Sequence, residues 1–183
     1  MNAREFALLK HAGQKWGPHY PYSEHLDRVA SFFPADSLRW ELAHLHDTLE
    51  DTNTTYDEIH TYFGINLARK VRLLSKLEDT DIFVYYQAIA KDVDAWSVKL
   101  ADLEVNLSHC IINLATLPSN NGWGRETECK IKNYARYIHY LLTGEWLFPD
   151  KKSDVGGFKV ADFPKRNYLM QPGWENFPPS QAE

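Results

Sequence analysis

Apolar residues recur at helical spacing along most of the chain, and this periodicity constrains the fold more than any other feature of the sequence. Leu38, Leu42, Leu45 and Leu49, for example, follow one another at intervals of three or four residues, and residues so spaced share one face of a helix. No stretch shows the alternation of apolar and polar residues that is typical of a half-buried strand. We therefore predict an all-α fold of about eight helices.

Capping residues divide this pattern into separate helices. Ser23 is a candidate N-cap for the second helix, and Asp36 or Ser37 is a candidate for the third, because their side-chain oxygens can accept hydrogen bonds from the free backbone N–H groups of the first turn. Residues 54–58 have the pattern of a capping box, which opens a short helix that we expect to end at Gly64.

The chain changes character after the last predicted helix. Residues 144–183 contain five of the nine prolines, together with scattered aromatic side chains. Proline interrupts regular helices, whereas a high aromatic content favours packing against an apolar surface. We therefore predict one helical domain, residues 1–143, followed by an irregular tail, residues 144–183, that packs on it.

Composition and charge exclude several classes of protein. The net charge of −5 argues against a general nucleic-acid binder, which needs a basic face to neutralise phosphates. Cys110 and Cys129 lack metal-ligand spacing and are typical of a reduced, intracellular pair. No segment approaches the ~20 apolar residues of a membrane span, and the N-terminus lacks the pattern of a secretory signal. We expect a cytoplasmic protein that binds neither nucleic acid nor membranes.

The segment His44–Thr52 concentrates side chains that can bind metal ions and move protons. If it is helical, one turn carries His46, Asp47, Glu50 and Asp51 on the same face. Like charges four residues apart, such as Asp47 and Asp51, cost about 0.2–0.5 kcal/mol on an isolated helix. A bound divalent cation would remove this repulsion, so we expect the chemistry of the protein here.

Two other segments supply groups of the same kind. His25 lies early on the second predicted helix, and Lys99, Asp102 and Asn106 share one helical stripe. Alone, each of these residues is typical of ordinary core or surface positions. Combined with the histidine-aspartate doublet at 46–47, they provide two histidines and two carboxylates, a mixed nitrogen–oxygen set that suits Mn²⁺, Fe²⁺ or Zn²⁺ better than Mg²⁺.

The ordered set of His25, the 46–47 doublet and Asp102 resembles the HD phosphohydrolase superfamily, an all-helical, metal-dependent fold. The Glu50-Asp51 pair directly after the doublet is similar to that of a narrower group, the hydrolase domain of the Rel/Spo alarmone enzymes and their stand-alone relatives, the small alarmone hydrolases. Further matches follow in the same order along the chain: Tyr20-Pro21-Tyr22, Val29-Ala30, Phe63-Gly64, Lys99-Leu100-Ala101-Asp102 and Asn106-Leu107.

This resemblance implies manganese-dependent removal of pyrophosphate from the 3′ position of guanosine tetra- or pentaphosphate. Fe²⁺, Zn²⁺ or another divalent ion is the alternative, because the ligand set also suits these metals. The residues that match the family's metal ligands are His25, His46, Asp47 and Asp102. Glu50 and Asp51 match the catalytic pair, which would orient and deprotonate the attacking water.

Substrate contacts are expected from five further residues. By resemblance, Asn106 matches a residue near the ribose, Tyr134 lies where the family often contacts the nucleotide, and Lys10 and Lys15 fall in a basic N-terminal segment. Lys99 is added because an acidic protein needs local positive charge to bind a small-molecule nucleotide, and this residue shares the stripe of a predicted ligand.

Departures from the family pattern leave other functions open. Ser108-His109 stands where an arginine often follows the Asn-Leu pair, and Leu74-Ser75-Lys76 replaces a Thr-Lys pair. One alternative is another HD-type phosphohydrolase that acts on a deoxynucleotide, a cyclic dinucleotide or the 2′-phosphate of NADPH. A second is a nucleotide-sensing module without catalysis, although such a module has no use for a general base.

Overall fold

The computed structural model describes residues 1–76, 79–116 and 123–147. Within these residues the chain forms eight helices and one small hairpin, numbered here in chain order. The helices are α1 (Ala3–Lys10), α2 (Tyr22–Ala30), α3 (Leu38–Leu45), α4 (Thr48–Asp51), α5 (Tyr56–Leu74), α6 (Ile82–Ile89), α7 (Val93–Thr116) and α8 (Trp123–Thr143). The hairpin strands are β1 (Lys15–Trp16) and β2 (Tyr20–Pro21). The predicted all-α fold is confirmed.

The hairpin between α1 and α2 is an element that the sequence pattern did not predict. Its two strands pair antiparallel, with Trp16 opposite Tyr20. Gly17 enters the turn at φ +64°, a left-handed conformation that favours glycine. A Cβ atom at Gly17 would also collide with the imidazole ring of His109, so both the backbone conformation and the space at this position require glycine.

Two of the predicted helix starts are confirmed. The Ser37 hydroxyl accepts a hydrogen bond from the backbone N–H of Trp40 (3.2 Å) and caps α3. Thr55 and Glu58 form the capping box that opens α5, each side chain accepting a hydrogen bond from the other residue's backbone N–H.

Of two other predicted boundaries, one is wrong. Ser23 does not cap α2, because the helix begins at Tyr22 and Ser23 lies inside its first turn. The N-cap is Pro21, whose φ of −66° is fixed by its ring and suits the entry to a helix. The predicted helix end at Gly64 agrees with the structure. The backbone leaves the helical conformation there, with φ +83° and ψ 166°, so α5 consists of two helical segments joined at a kink, the second of which ends at Leu74.

The helix that leads to the histidine-aspartate doublet breaks at the doublet. α3 ends at Leu45 and α4 begins at Thr48, so the prediction of one helical turn across this segment is wrong. The Thr48 hydroxyl donates to the Leu45 carbonyl (2.7 Å), and Nδ1 of His46 lies 2.7 Å from the Ala43 carbonyl. Such local hydrogen bonds compete with those of a continuing helix. The doublet therefore lies between two helices, with His46 buried.

α3 lies at the centre of the fold, in contact with α1, α2, α5 and α7. Leu42 and Leu45 of α3 are fully buried, together with Leu26 of α2 and Leu103 of α7. Burial of each such side chain contributes about 1.5–3 kcal/mol to the free energy of folding. These contacts hold α2, α3 and α7 side by side, and the predicted metal ligands come from α2, from the end of α3 and from α7.

The beginning of the predicted tail packs on the helices. The Trp146 ring lies 5.1 Å from that of Phe83 and 5.3 Å from that of Tyr140, between ring centroids. Residues 148–183 lie outside the described part of the chain, so the packing of the tail as a whole, and the domain boundary at 143, stay predictions. None of the described helices combines the length and the apolar character needed to span a lipid bilayer.

Candidate active site and metal centre

The four side chains predicted as metal ligands meet at one place in the structure. Nε2 of His25 lies 3.3 Å from Nε2 of His46, 3.3 Å from Oδ1 of Asp102 and 3.4 Å from Oδ2 of Asp47. Nε2 of His46 lies 2.9 Å from Oδ2 of Asp47 and 3.6 Å from Oδ1 of Asp102. Both imidazoles and the Asp102 carboxylate are buried, whereas the Asp47 side chain is 17% exposed. The cluster is therefore open to solvent on the side of Asp47.

Three of these side chains, His25, His46 and Asp102, each bring a ligand atom within 4.8 Å of the others and could hold a metal ion, and Oδ2 of Asp47 lies beside both imidazoles. An ion bound about 2.1 Å from each ligand would separate neighbouring ligand atoms by roughly 3–3.5 Å, and the distances above fall in or near that range. Nδ1 of His46 faces the Ala43 carbonyl, which can only accept, so Nδ1 carries a proton and Nε2 is the atom available to a metal. Imidazole with carboxylate is the ligand set of manganese, iron and zinc sites.

The electrostatics of the cluster are those of a cation site. Burial alone would lower the pKa of His46, but the charge of Asp47 and a hydrogen bond with Asp102 raise it to about 10. Burial alone would raise the pKa of Asp102, but the Lys99 ammonium and the two imidazoles hold it well below its usual range. The carboxylates thus attract positive charge to the imidazole nitrogens, and a divalent cation would compete with protons for these same atoms.

Two predicted substrate-binding residues, Lys99 and Asn106, form hydrogen bonds with Asp102. The Lys99 ammonium donates to Oδ2 of Asp102 (2.8 Å), and Nδ2 of Asn106 donates to Oδ1 (2.6 Å). The predicted stripe on α7 is therefore present, but its polar groups point at one another. Hydrogen bonds of this kind orient a ligating carboxylate. Contact of Lys99 or Asn106 with a substrate stays a prediction.

The predicted catalytic pair lies on α4 at the exposed edge of the cluster. The Tyr22 hydroxyl lies 2.6 Å from Oδ2 of Asp47 and 2.9 Å from Oδ2 of Asp51, so one phenol links a predicted ligand to a predicted catalytic residue. A phenol has a single proton and donates to one carboxylate at a time. Burial and these two carboxylates raise the pKa of Tyr22 well above its usual range, so the hydroxyl stays protonated.

The second member of the pair, Glu50, has a perturbed carboxyl group. Its Oε2 accepts a hydrogen bond from the backbone N–H of Lys76 (3.0 Å). The residue as a whole is exposed, but partial burial of its carboxylate raises the pKa, and the charges of Asp47 and Asp51 act in the same direction. A raised pKa brings a carboxylate closer to the range in which a general base works at neutral pH.

The other three predicted substrate-binding residues are Lys10, Lys15 and Tyr134. The Lys10 ammonium is paired with Glu58 (2.8 Å), which ties α1 to α5. Lys15 is exposed on β1, and Tyr134 is half-buried on α8, where it packs against the core. Burial raises the pKa of Tyr134 to about 12. Their contact with a substrate stays a prediction.

A layer of aromatic rings, which was not predicted from the sequence, surrounds the cluster. The His11 ring stacks on Tyr22 at 4.5 Å and 7° between ring planes. The Trp16 ring lies 5.2 Å from His25 and stacks on His109 at 3.9 Å. Tyr22 belongs to a motif that carried the family resemblance, but the motif indicates no role for its hydroxyl. Similarly, a tryptophan is interpreted as a packing residue when only the amino-acid sequence of the chain is known.

An all-helical fold around a His, His-Asp, Asp cluster defines the chain as an HD-domain protein of the hydrolase type. No protein-family model matches the chain. The fold is similar to that of a solved structure described as a metazoan ortholog of SpoT that hydrolyses ppGpp, with a TM-score of 0.64 over 78% of this chain and 84% of the other, at 23% sequence identity. At that identity the likeness shows a shared fold.

Sequence comparison places the chain more closely. It is 32% identical over 157 residues to the guanosine-3′,5′-bis(diphosphate) 3′-pyrophosphohydrolase MESH1 of Homo sapiens, which covers 79% of this chain and 83% of that protein. It is 34% identical over 111 residues to the GTP pyrophosphokinase rsh of Brucella ovis, of which it spans only 15%. The chain belongs to the family of MESH1-type guanosine-3′,5′-bis(diphosphate) 3′-pyrophosphohydrolases. The resemblance to Rel/Spo hydrolase domains and small alarmone hydrolases is confirmed.

Proposed function

We propose that this chain is a divalent-metal-dependent hydrolase that converts guanosine 3′,5′-bis(diphosphate) and water to GDP and pyrophosphate. The observation that supports this most is that two histidines and two carboxylates lie together. The Tyr22 hydroxyl also contacts both Asp47 of this cluster and Asp51 of the acidic pair. Relatives that share most of their length with this chain are named for that reaction.

The proposed ligands of the metal are His25, His46, Asp47 and Asp102, and the proposed metal is Mn²⁺, with Fe²⁺, Zn²⁺ or another divalent ion as the alternative. When bound, such an ion lowers the pKa of a coordinated water and neutralises charge on phosphorus. Lys99 and Asn106 hold the Asp102 carboxylate in place through its two oxygens.

Glu50 and Asp51 are proposed to orient the attacking water and accept its proton. The water oxygen forms a bond to the phosphorus on the 3′ oxygen, the bond between that phosphorus and the 3′ oxygen breaks, and the 3′ oxygen takes up a proton. The raised pKa of Glu50 suits proton acceptance. Asp51 is oriented from two sides, because Tyr22 contacts its carboxylate and the Gln14 side chain donates to its backbone carbonyl (2.7 Å).

The substrate carries several negative charges into a chain with a net charge of −5, so positive charge must be local. Lys10, Lys15 and Lys99 are proposed for the phosphates that the metal does not reach, and Asn106 and Tyr134 for the ribose and base. The ammonium of Lys99 is already paired with Asp102 and that of Lys10 with Glu58. Lys15 is therefore the first of the three to test. The net charge of −5 also argues against a nucleic-acid partner, and we propose a cytoplasmic location because of the reduced cysteine pair.

A second candidate function is hydrolysis of another nucleotide by the same site. The observation that favours it concerns His109, which stands where relatives of this type often carry an arginine. Burial, with a smaller contribution from the charge of Arg28, lowers the pKa of His109 to about 4. His109 is then neutral at pH 7 and cannot replace the charge of an arginine on a phosphate.

Chromatography of reaction products with Mn²⁺ supplied would separate the two candidates. The panel contains guanosine 3′,5′-bis(diphosphate), a deoxynucleoside triphosphate, a cyclic dinucleotide and NADPH. The proposed function predicts GDP and pyrophosphate in equal amounts from the first compound. If that compound survives while another is consumed, the metal site stands and the substrate assignment is wrong. If none is consumed by protein that binds metal, the chain is a sensing module.

A further inference from the structure

Trp16 is connected to a predicted metal ligand through one intervening side chain. Its indole N–H donates to Oδ1 of Asn106 at 3.1 Å, and Nδ2 of Asn106 donates to Oδ1 of Asp102 at 2.6 Å. The same Oδ1 faces Nε2 of both His25 and His46. The hairpin is thus joined to the ligand cluster by a chain of two hydrogen bonds.

The chemistry of the two end groups fixes the orientation of the amide between them. An indole N–H can only donate, and an ionised carboxylate can only accept. The Asn106 amide offers one oxygen and one NH₂ group, so the oxygen must face Trp16 and the NH₂ must face Asp102. Asp102 and Trp16 thus favour the same orientation of the amide, and each binds one end of it. Without the indole N–H, Asn106 would be held at its NH₂ end alone.

The surroundings of Trp16 hold its indole in place. The residue is 7% exposed. His109 stacks on the ring at 3.9 Å between centroids, and the Arg28 guanidinium lies 5.4 Å from the ring centre. Gly17, the next residue, leaves room for the His109 ring that a Cβ atom would occupy. The hairpin turn and the stacked imidazole therefore set the direction of the N–H group.

We propose that Trp16 is a positioning residue of the metal centre: through Asn106 it holds Oδ1 of Asp102 towards the two histidines. This inference rests on the proposed function, because it assigns Asp102 as a metal ligand. It gives Asn106 a role in the free protein, before any substrate binds. It also gives the hairpin a role in the site that packing alone would not require.

The first test measures Mn²⁺ affinity by calorimetry in Trp16→Phe, which keeps an aromatic ring and removes the N–H. Loss of a group that orients a ligand weakens metal binding by about 10- to 100-fold, so we expect Kd to rise at least tenfold. Trp96→Phe is the matched control, because the Trp96 N–H also makes one buried hydrogen bond, to the Leu141 carbonyl (2.8 Å). It should leave Kd within twofold of the wild type. An unchanged Kd in Trp16→Phe would overturn the inference.

A double-mutant cycle decides whether Trp16 acts through Asn106. Asn106→Ala should weaken Mn²⁺ binding to a similar extent, and adding Trp16→Phe to it should change Kd by less than twofold, because the intermediary is already gone. Additive effects of the two substitutions would mean that Trp16 acts through packing alone, and would overturn the inference.

The last test uses metal-free protein and does not depend on whether Trp16→Phe folds. In NMR spectra of the metal-free protein, the indole N–H resonance of Trp16 should shift and exchange faster with solvent in Asn106→Ala, whereas that of Trp96 should not. An unmoved Trp16 resonance would overturn the inference even if Trp16→Phe does not fold. If wild-type protein binds no metal, the proposed function fails, and this resonance alone decides whether Trp16 orients Asn106.

Discussion

Two histidines at the end of α3, two residues apart, lie in clusters of different character. His44 and His46 are both fully buried, both place Nδ1 against a backbone carbonyl, and both turn Nε2 towards an aspartate. The partner of His44 is Asp27 at 3.3 Å, and that of His46 is Asp47 at 2.9 Å. Burial and hydrogen bonding alone do not tell a structural histidine from a ligand here.

The charges around the two histidines differ. Asp27 is bound by Arg4 through two hydrogen bonds of 2.7 and 2.8 Å, so one cation balances one carboxylate, and Nε2 of His44 completes the group. Around His46, the Lys99 ammonium is paired with Asp102, whereas the Asp47 carboxylate lies against the two imidazoles, and the two carboxylates of α4 follow Asp47 in the chain. Excess negative charge beside imidazole nitrogens favours a bound cation, and this excess is why the metal is proposed here rather than at His44.

The largest expected effect comes from replacing the aspartate beside one histidine, Asp47 beside His46, while the aspartate beside the other, Asp27 beside His44, serves as the control. Asp47→Asn removes a proposed ligand and should lower kcat/KM by at least about 10³-fold, since several kcal/mol of charge stabilisation in the transition state depend on the metal. Asp27→Asn, the matched control, should retain metal and activity and lose only stability. Steady-state kinetics with circular dichroism measure both. Equal losses of activity in the two variants would show that charge excess does not distinguish the clusters.

A smaller effect is expected at the two carboxylates of α4, where substitution should separate metal binding from proton transfer. Glu50→Gln and Asp51→Asn should keep the metal and lose about 10²-fold or more in kcat, the usual scale for a positioned general base. The measurements are metal content and single-turnover rates on the same preparations. Loss of metal in step with loss of activity would make these residues ligands.

A still smaller effect concerns Lys15, the exposed lysine of the hairpin. Lys15→Ala should raise KM about fivefold with little change in kcat, because a remote phosphate contact stabilises ground and transition states alike. Lys132→Ala, which removes an exposed lysine of α8, is the control and should change neither constant. A drop in kcat with constant KM would place Lys15 at the reacting phosphate.

The smallest effect tests the balanced cluster by pH. Burial alone would raise the pKa of Asp27, but Arg4 and His44 hold it well below its usual range. Its stabilising contribution is therefore present above the unfolded pKa of about 3.9 and is lost as the pH falls through the lower folded value. The Arg4 and Asp27 side chains are 44% and 41% exposed, so the pair contributes less than about 1 kcal/mol.

Thermal unfolding of Arg4→Ala measures this contribution. The difference in free energy of unfolding from the wild type should be small at pH 7 and should shrink as the pH falls below about 4. A difference that grows on acidification would contradict the assignment of Asp27 as the acid of a closed ion pair.

The parts of the site that follow from local patterns could be predicted from the sequence. The helical stripe of Lys99, Asp102 and Asn106 depends on spacing alone, and Ser37 is a cap because of its own hydroxyl. The meeting of the four proposed ligands could also be predicted, because a family resemblance ties their distant segments together, and the fold brings these side chains close to one another.

Other parts depend on tertiary contacts and could not be predicted. The break at the doublet follows from side chains that bind nearby carbonyls, among them His46 and Thr48. The hairpin strands have two residues each, too few to show alternation. The bond between Trp16 and Asn106 joins residues 90 positions apart, and only the folded chain brings them together.

The metal content of the purified protein tests the central claim most directly. Elemental analysis should find about one divalent transition-metal ion per chain in the wild type and in Asp27→Asn, and none in Asp47→Asn. Treatment with a chelator should remove the ion and the activity together, and Mn²⁺ should restore both. Wild-type protein that is free of metal and hydrolyses nucleotides at the full rate would contradict the account.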